Sequence, residues 1–127
     1  MRKGFTLLEL IVVIIILGIL ATLGFSQYVK MVEKGRTAEA KTVLGQMRSA
    51  NAAYFQEHGA YATALGDLAV DAPTSCTITH YFQYDINGGN ARARRCSASG
   101  KTPNFTGTVY SISLTWDGVW GGDAGYY

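Results

Sequence analysis

Residues 5–29 read FTLLELIVVIIILGILATLGFSQYV, and they follow the short basic leader MRKG. Glu9 is the only side chain in this run that is charged at neutral pH. As a helix the run would extend about 37 Å, which is long enough to cross a bilayer. A carboxylate in such a segment costs about 2.5 kcal/mol or more near the bilayer centre, and less near its edge. We therefore expect a partner that offsets the charge of Glu9.

Three simpler interpretations compete for this N-terminus. A secretory signal has a shorter apolar core, and its small-residue cleavage site would have to fall at residues 20–22. A plain transmembrane anchor leaves Glu9 unexplained, and a buried core helix would need a polar face that the run lacks. Because Arg2 and Lys3 precede the run, the N-terminus is expected on the cytoplasmic side and the remainder outside the cytoplasm.

A second helical pattern follows the apolar run without an intervening proline. Its apolar side chains recur mostly at intervals of three or four residues, which predicts an amphipathic helix with one stripe on a globular head. They are Val32, Ala40, Val43, Leu44, Met47, Ala50 and Tyr54. Gly59 is the expected C-terminal stop, so a single helix should extend from about Phe5 to His58.

The remaining residues predict an irregular connector and a small sheet. The connector has a short turn at residues 65–68. The strands are predicted at residues 77–86, 91–97 and 107–116, with a short last strand from Val119. Asn87-Gly88-Gly89-Asn90 and Asp117-Gly118 are signals for tight turns. The fold class is therefore α+β: a long helix packed on an antiparallel meander of three or four strands.

The N-terminus resembles that of type IV pilins and of the related pseudopilins of type II secretion systems. The resemblance rests on the motif RKGFTLLEL (residues 2–10) and on the apolar run that follows, with Gly18. In that family a membrane peptidase cuts after the glycine and methylates the new N-terminal phenylalanine. The resemblance therefore implies cleavage between Gly4 and Phe5. Ser26 stands where these pilins usually carry a proline, so no proline kink is expected.

The resemblance also implies a domain organisation and a filament. The expected segments are a leader (1–4), a protruding transmembrane or filament-core half of the helix (5–29), and a pilin head (30–127). The head would comprise a docked amphipathic helix (30–58), a connector (59–75) and a β-sheet (76–127). The implied protein is not an enzyme but a homopolymer subunit. The inner membrane holds it until machinery with cytoplasmic ATPases assembles an extracellular pilus for adhesion, twitching motility or DNA uptake.

Glu9 has a specific expected role in such a filament. A carboxylate at the start of a helix is favoured by the helix dipole. In a bundle of identical helices it could also pair with the α-amino group of a neighbour's Phe5, which exists only after cleavage. The pair would offset the desolvation of both charges. The alternative is that Glu9 only faces solvent at the membrane edge.

Two other functions remain as alternatives. A pseudopilin would act as a secretion piston, and major pseudopilins commonly carry a calcium-binding loop. Asp117 and Asp123 flank a glycine-rich stretch without the ligand spacing of such a loop, which favours a pilin. The second alternative is a membrane-anchored binding module or enzyme. No catalytic constellation is predicted, because His58 and His80 have no cysteine, serine or carboxylate at a recognisable motif spacing. No cofactor is implied, because the sequence has no phosphate-cradling glycine loop and no metal motif.

Cys76 and Cys96 predict one disulfide, because they would lie near the open end of the first hairpin in an oxidising compartment. Two buried free thiols are the alternative. Two cysteines alone cannot form a structural zinc site. A bridged loop of about 20 residues would add roughly 3 kcal/mol of stability.

Three further patterns are weaker. Arg92, Arg94 and Arg95, with Lys101 nearby, form a basic cluster whose two interpretations are DNA contact and protection of a strand edge; the latter is favoured. Without Arg2 and Lys3 the chain carries nine basic and nine acidic side chains, which argues against a dedicated nucleic-acid binder. Asn104-Phe105-Thr106 matches the N-glycosylation pattern. Four aromatic side chains are expected in the core or at subunit contacts: Trp116, Trp120, Tyr126 and Tyr127.

Overall fold

The structure is a computed structural model that describes residues 4–102 and 107–127. These residues form one long helix, α1 (Leu7–His58), a 3-10 turn (Leu65–Asp67) and four strands, which are β1 (Phe82–Asn87), β2 (Asn90–Arg95), β3 (Ser111–Thr115) and β4 (Trp120–Gly122). The chain divides into two compact units, Met1–Glu33 and Lys34–Tyr127, each of which is described by itself.

Helix α1 confirms the single long helix that the sequence predicts. The helix is uninterrupted at Ser26, whose hydroxyl donates a hydrogen bond to the carbonyl oxygen of Leu23 at 3.2 Å. At the other end, Gly59 has a φ of 75° and its N–H donates to the carbonyl of Phe55 at 2.8 Å. A glycine accepts this left-handed conformation without steric cost, so α1 ends at His58 as expected.

The core of the second unit lies between α1 and the sheet. Four residues of the predicted helical stripe are buried there, namely Ala40, Val43, Leu44 and Met47. They contact one face of the sheet, whose buried members are Phe82, Tyr84, Ala91, Ala93, Ile112 and Leu114, together with Tyr110. Asn51 is fully buried on the same helix, and its Oδ1 accepts the N–H of Ala62 at 2.8 Å. This bond fixes the connector to the helix.

The sheet is an antiparallel meander in chain order, β1-β2-β3-β4, as predicted. Asn87 pairs with Asn90, so the first hairpin turns on two residues, Gly88 and Gly89. Their φ angles are 58° and 77°. A two-residue turn with positive φ at both positions matches the twist of the flanking strands, which is why glycine is required here.

The three longer strands are all shorter than the sequence predicts, and β2 ends at Arg95 rather than at Ser97. Residues 77–80 form a turn in which the N–H of His80 donates to the carbonyl of Thr77, and β1 begins only at Phe82. The hydroxyls of Thr77 and Thr79 share a hydrogen bond of 2.9 Å, which gives this segment a local alternative to sheet pairing. Strand β3 begins at Ser111 rather than at Gly107, but its predicted alternation is confirmed: Ile112 and Leu114 are buried, whereas Ser113 and Thr115 are not.

Candidate functional site

The start of α1 is closed by a reciprocal cap between Thr6 and Glu9. The N–H and the hydroxyl of Thr6 donate to Oε2 of Glu9 at 2.8 Å and 2.7 Å. In return, the N–H of Glu9 donates to the hydroxyl of Thr6 at 3.3 Å. This is a capping box, in which a Thr and a Glu three residues later each satisfy a backbone donor that the helix leaves unpaired.

The capping box gives Glu9 a partner within its own chain that the sequence reasoning missed. The signal was present, because Thr6-Leu7-Leu8-Glu9 has the required spacing ahead of an apolar run. Both bonds from Thr6 reach Oε2, so Oε1 can accept from another donor, since a carboxylate offers about four lone-pair sites. The expected pairing with a neighbour's amine is compatible with this geometry and stays a prediction.

Gly4 and Phe5, the expected cleavage residues, lie directly before the capping box. A Cβ added to Gly4 would meet no other atom within 4 Å, and Phe5 is 92% exposed. The first part of α1 is long and apolar enough to cross a membrane, and none of that stretch is buried within the chain. A Cβ at Gly4 would therefore contact no other part of the described chain.

The disulfide between Cys76 and Cys96 is present as predicted, with the two Cα atoms 5.8 Å apart. Neither thiol is free. The bridge joins the turn before β1 to the residue that follows β2, and so closes the open end of the first hairpin.

The basic cluster is only partly exposed, and its three arginines lie on an inner strand, because β2 pairs with both β1 and β3. This corrects the expectation that its charges protect a strand edge. Arg95 is 1% exposed, and its guanidinium donates to the carbonyls of Tyr81, Cys96 and Thr102 at 3.0, 2.9 and 2.6 Å. Arg92 forms a bidentate pair with Asp85 at 2.8 and 2.6 Å. Hydrogen bonding to Asp85 raises the pKa of Arg92. Because Arg95 is buried and Arg92 is paired, the exposed cations of the cluster are Arg94 and Lys101.

The phenol of Tyr84 is also buried in the core, near Glu39 of α1. Burial raises the pKa of Tyr84, and the negative charge of Glu39 raises this pKa further. Oε1 of Glu39 also accepts the N–H of Tyr81 at 2.8 Å. Glu39 therefore connects the helix to the beginning of the sheet.

Asp123, which the sequence singled out beside Asp117, has a structural role in the fold. The carboxylate of Asp123 accepts the N–H of Ser111 at 2.6 Å, which holds the C-terminal segment on β3. In the described part of the chain, no group of three or more His, Cys, Asp or Glu side chains could hold a metal ion. Asn104-Phe105-Thr106 lies outside the described residues.

The aromatic side chains divide between core and surface. Tyr126 stacks on the buried ring of Tyr110 at 3.8 Å, and Trp116 stacks on Tyr61 at 5.9 Å. Trp120 and Tyr127 are 40% and 50% exposed. Tyr126 and Trp116 therefore pack against the core, as expected. That Trp120 and Tyr127 form subunit contacts stays a prediction.

The sequence matches two known patterns that together cover most of the chain. Residues 1–25 match the prokaryotic N-terminal methylation motif, and residues 37–115 match the family described as type IV pilin-like G and H.

Curated relatives include fimbrial and major pilin proteins. Fimbrial protein EcpC of Eikenella corrodens is 27% identical over 98% of this chain and 87% of its own length. Type IV major pilin protein PilE1 of Neisseria gonorrhoeae is 33% identical over 88% of this chain and 68% of its own. Type IV major pilin protein PilA of Myxococcus xanthus is 37% identical, but the match spans 53% of this chain and only 30% of that protein. On the family match, the long helix and the meander packed on it, this chain belongs to the type IV pilin-like family.

Proposed function

We propose that the protein is a structural subunit of a type IV pilus, made as a precursor that is cleaved between Gly4 and Phe5 and methylated at Phe5. Cleavage would need a prepilin peptidase, and polymerisation through α1 would need an inner-membrane machine with cytoplasmic ATPases. Before assembly the subunit would cross the inner membrane once, with its N-terminus in the cytoplasm. After assembly it would lie in an extracellular filament that serves adhesion, twitching motility or DNA uptake.

The observation that carries the proposal is the uncovered apolar surface of the first part of α1. Its large side chains are between 40% and 75% exposed from Leu7 to Phe25. Each buried apolar side chain is worth about 1.5–3 kcal/mol, so water is a poor environment for this surface. Lipid can cover it before assembly, and identical helices can cover it afterwards. A homopolymer uses the same surface for both states.

Glu9 would link cleavage to assembly. Before cleavage the nitrogen of Phe5 is part of a peptide bond, and after cleavage it is a charged amine. With Oε2 held by Thr6, Oε1 of one subunit can accept from the Phe5 amine of the next subunit without loss of the capping box. The expected contact needs a charge on both partners, whereas the capping box needs only an acceptor at position 9.

The first test is Glu9→Ala in the full-length chain. We expect the variant to accumulate, to be cleaved and to stay in the inner membrane with few or no filaments. Removing the carboxylate eases membrane residence, but it leaves the neighbour's amine as an uncompensated charge at about 3–5 kcal/mol. Membrane level, N-terminal processing and the yield of sheared filaments are measured in the same cells. Filaments at wild-type yield would contradict the role of Glu9, and loss of the protein from the membrane would indicate a defect of insertion or folding.

Two matched variants separate the capping box from the ion pair. Glu9→Gln keeps an acceptor for Thr6 but removes the charge, whereas Thr6→Val removes the capping hydroxyl but keeps the charge. If Glu9 acts through the neighbour's amine, Glu9→Gln should fail to assemble like Glu9→Ala, and Thr6→Val should retain most filaments. The reverse pattern would mean that Glu9 acts only as a cap.

A further inference from the structure

A short strap of irregular chain, residues 97–102, lies against the disulfide directly after β2. A Cβ added to Gly100 would lie 2.7 Å from Cβ of Cys96, a distance that side chains do not adopt, and 3.4 Å from its Sγ. Gly100 also has a φ of 150°, a conformation that favours glycine. The backbone of the strap therefore covers Cys96 so closely that no side chain fits between them.

Two hydrogen bonds hold the far end of the strap. The N–H of Lys101 donates to the carbonyl of His80 at 3.0 Å. The buried guanidinium of Arg95 donates to the carbonyl of Thr102 at 2.6 Å, and it also donates to the carbonyl of Cys96 at 2.9 Å. The strap is therefore fixed on both sides of the point where it covers the bridge.

This arrangement opposes thiol–disulfide exchange at either sulfur. In exchange, a thiolate attacks one sulfur, the S–S bond breaks, and the other sulfur leaves with the electron pair as a thiolate. Attack on Cys96 would have to pass the strap, because this residue is 1% exposed. Attack on Cys76, which is half-buried, would expel the thiolate of Cys96 into a buried position. Burial removes water from that thiolate, which makes it a poorer leaving group.

We propose that residues 97–102 lock the Cys76–Cys96 bond, so that dithiols and thiol–disulfide oxidoreductases exchange it only when the strap lifts. The strap acts by covering Cys96 and not by altering the bond itself. All of these contacts lie within Lys34–Tyr127, so the inference does not depend on the proposed pilus. It gives Gly100, the guanidinium of Arg95 and the N–H of Lys101 a shared role.

The test is the rate at which dithiothreitol reduces the folded, full-length protein in detergent. One thiol of the reagent opens the bridge and its second thiol releases the protein, which gives two protein thiols and the cyclic disulfide of the reagent. Timed samples are alkylated, and the free thiols are counted by intact mass. We expect the folded wild type to be reduced about a hundredfold more slowly than the same protein in denaturant. Equal rates would overturn the lock.

A matched pair of variants at position 101 isolates the hydrogen bond of the strap. Lys101→Pro removes the N–H that bonds the carbonyl of His80, whereas Lys101→Ala keeps it. We expect Lys101→Pro to be reduced about tenfold faster than wild type, because one hydrogen bond no longer opposes lifting of the strap. Lys101→Ala should stay near the wild-type rate. If both variants are reduced at the same rate, the strap is not what protects the bridge.

Gly100→Ala tests the contact with Cys96 directly. The added Cβ would displace the strap, so reduction should again be about tenfold faster. Gly59→Ala is the control, because Gly59 also has a positive φ but an added Cβ there would meet nothing within 4 Å. It should be reduced at the wild-type rate. Equal acceleration of both glycine variants would assign the effect to general destabilisation and overturn the proposal.

Urea separates lifting of the strap from unfolding of the whole head. If the strap lifts locally, the reduction rates of Lys101→Pro and Gly100→Ala should hardly change with urea below the unfolding transition. Exchange through complete unfolding would instead accelerate steeply with urea, because much more surface is exposed. A steep dependence in both variants would contradict a local lock.

Discussion

The two halves of α1 belong to one helix, yet their side chains are in opposite environments. In the first half, the large apolar side chains are exposed, as Leu7 at 75% and Phe25 at 70% illustrate. In the second half, the apolar stripe is buried, and Leu44 and Met47 have no exposed surface. The first half therefore depends on surroundings that a single chain does not supply. The second half is part of a core that the chain forms by itself.

The two halves therefore need different patterns of polar and apolar residues. In the buried half, apolar residues recur every three or four positions with polar residues between them, because one side of the helix packs on the sheet and the other faces solvent. The exposed half needs no polar side, because lipid or copies of the helix surround it. Its one charged side chain, Glu9, lies at the very start. A change near Gly4 should therefore affect processing and leave the head unaffected, whereas a change in the head should do the reverse.

The largest expected effect is that of Gly4→Val on processing. A Cβ at Gly4 has open space around it within the chain, so the substitution should leave the head fully folded. A peptidase that binds the leader closely would reject the larger side chain. We expect uncleaved protein in the membrane with Cys76 and Cys96 still bridged, as measured by intact mass. Detection of the normal mature mass would refute the cut between Gly4 and Phe5.

The next effect concerns Arg95, a buried charge in the head. Arg95→Ala would remove the guanidinium donors to the carbonyls of Tyr81, Cys96 and Thr102, of which Tyr81 keeps the N–H of Cys96, and we expect a loss of about 3 kcal/mol of unfolding free energy. Arg94→Ala is the matched control, because Arg94 is exposed and a surface substitution changes stability by about 0.5 kcal/mol or less. Denaturant unfolding of the purified protein in detergent compares the two. Equal stability of both variants would show that the buried guanidinium is not needed.

The smallest expected effect is the dependence of head stability on alkaline pH through Tyr84. Because its pKa is raised in the folded state above the usual 10.0, the unfolded chain releases this proton first. The folded state then binds more protons than the unfolded state, so stability falls as the pH rises above 10. Tyr84→Phe should show a shallower fall in denaturant midpoint over the same pH range. Parallel curves for variant and wild type would assign the alkaline loss to other groups.

Much of the fold could be predicted from sequence because it depends on local periodicity. The spacing of Ala40, Val43, Leu44 and Met47 predicted the buried stripe, and Gly88-Gly89 predicted the first hairpin. The burial of Arg95 was missed although Ala91, Ala93 and Arg95 alternate onto one face of β2, because a charged residue was assumed to face solvent. Its partners are carbonyls from three separate places in the chain, and such a set has no signature in the sequence.

The candidate site was only partly predictable for a similar reason. The motif around Gly4 and Phe5 predicts the cleavage residues, and that stays a prediction. Thr6-Leu7-Leu8-Glu9 carries the signal for the capping box that the structure shows. The start of β1 at Phe82, rather than at Thr77, was not predictable from β-propensity alone. There the threonine hydroxyls and His80 bond one another, and these side-chain contacts compete with pairing in the sheet.

The chain order of the meander bears on when the head can form. Each strand pairs with the strand that immediately precedes it, so the sheet needs no contact with a segment that has yet to emerge. Pairings between neighbours in sequence have short loops to close, and proteins rich in such contacts fold quickly. When the chain emerges in order from its N-terminal side, β1 and β2 can form a hairpin before β4 arrives. Oxidation of Cys76 with Cys96 encloses only that hairpin and can therefore precede completion of the sheet.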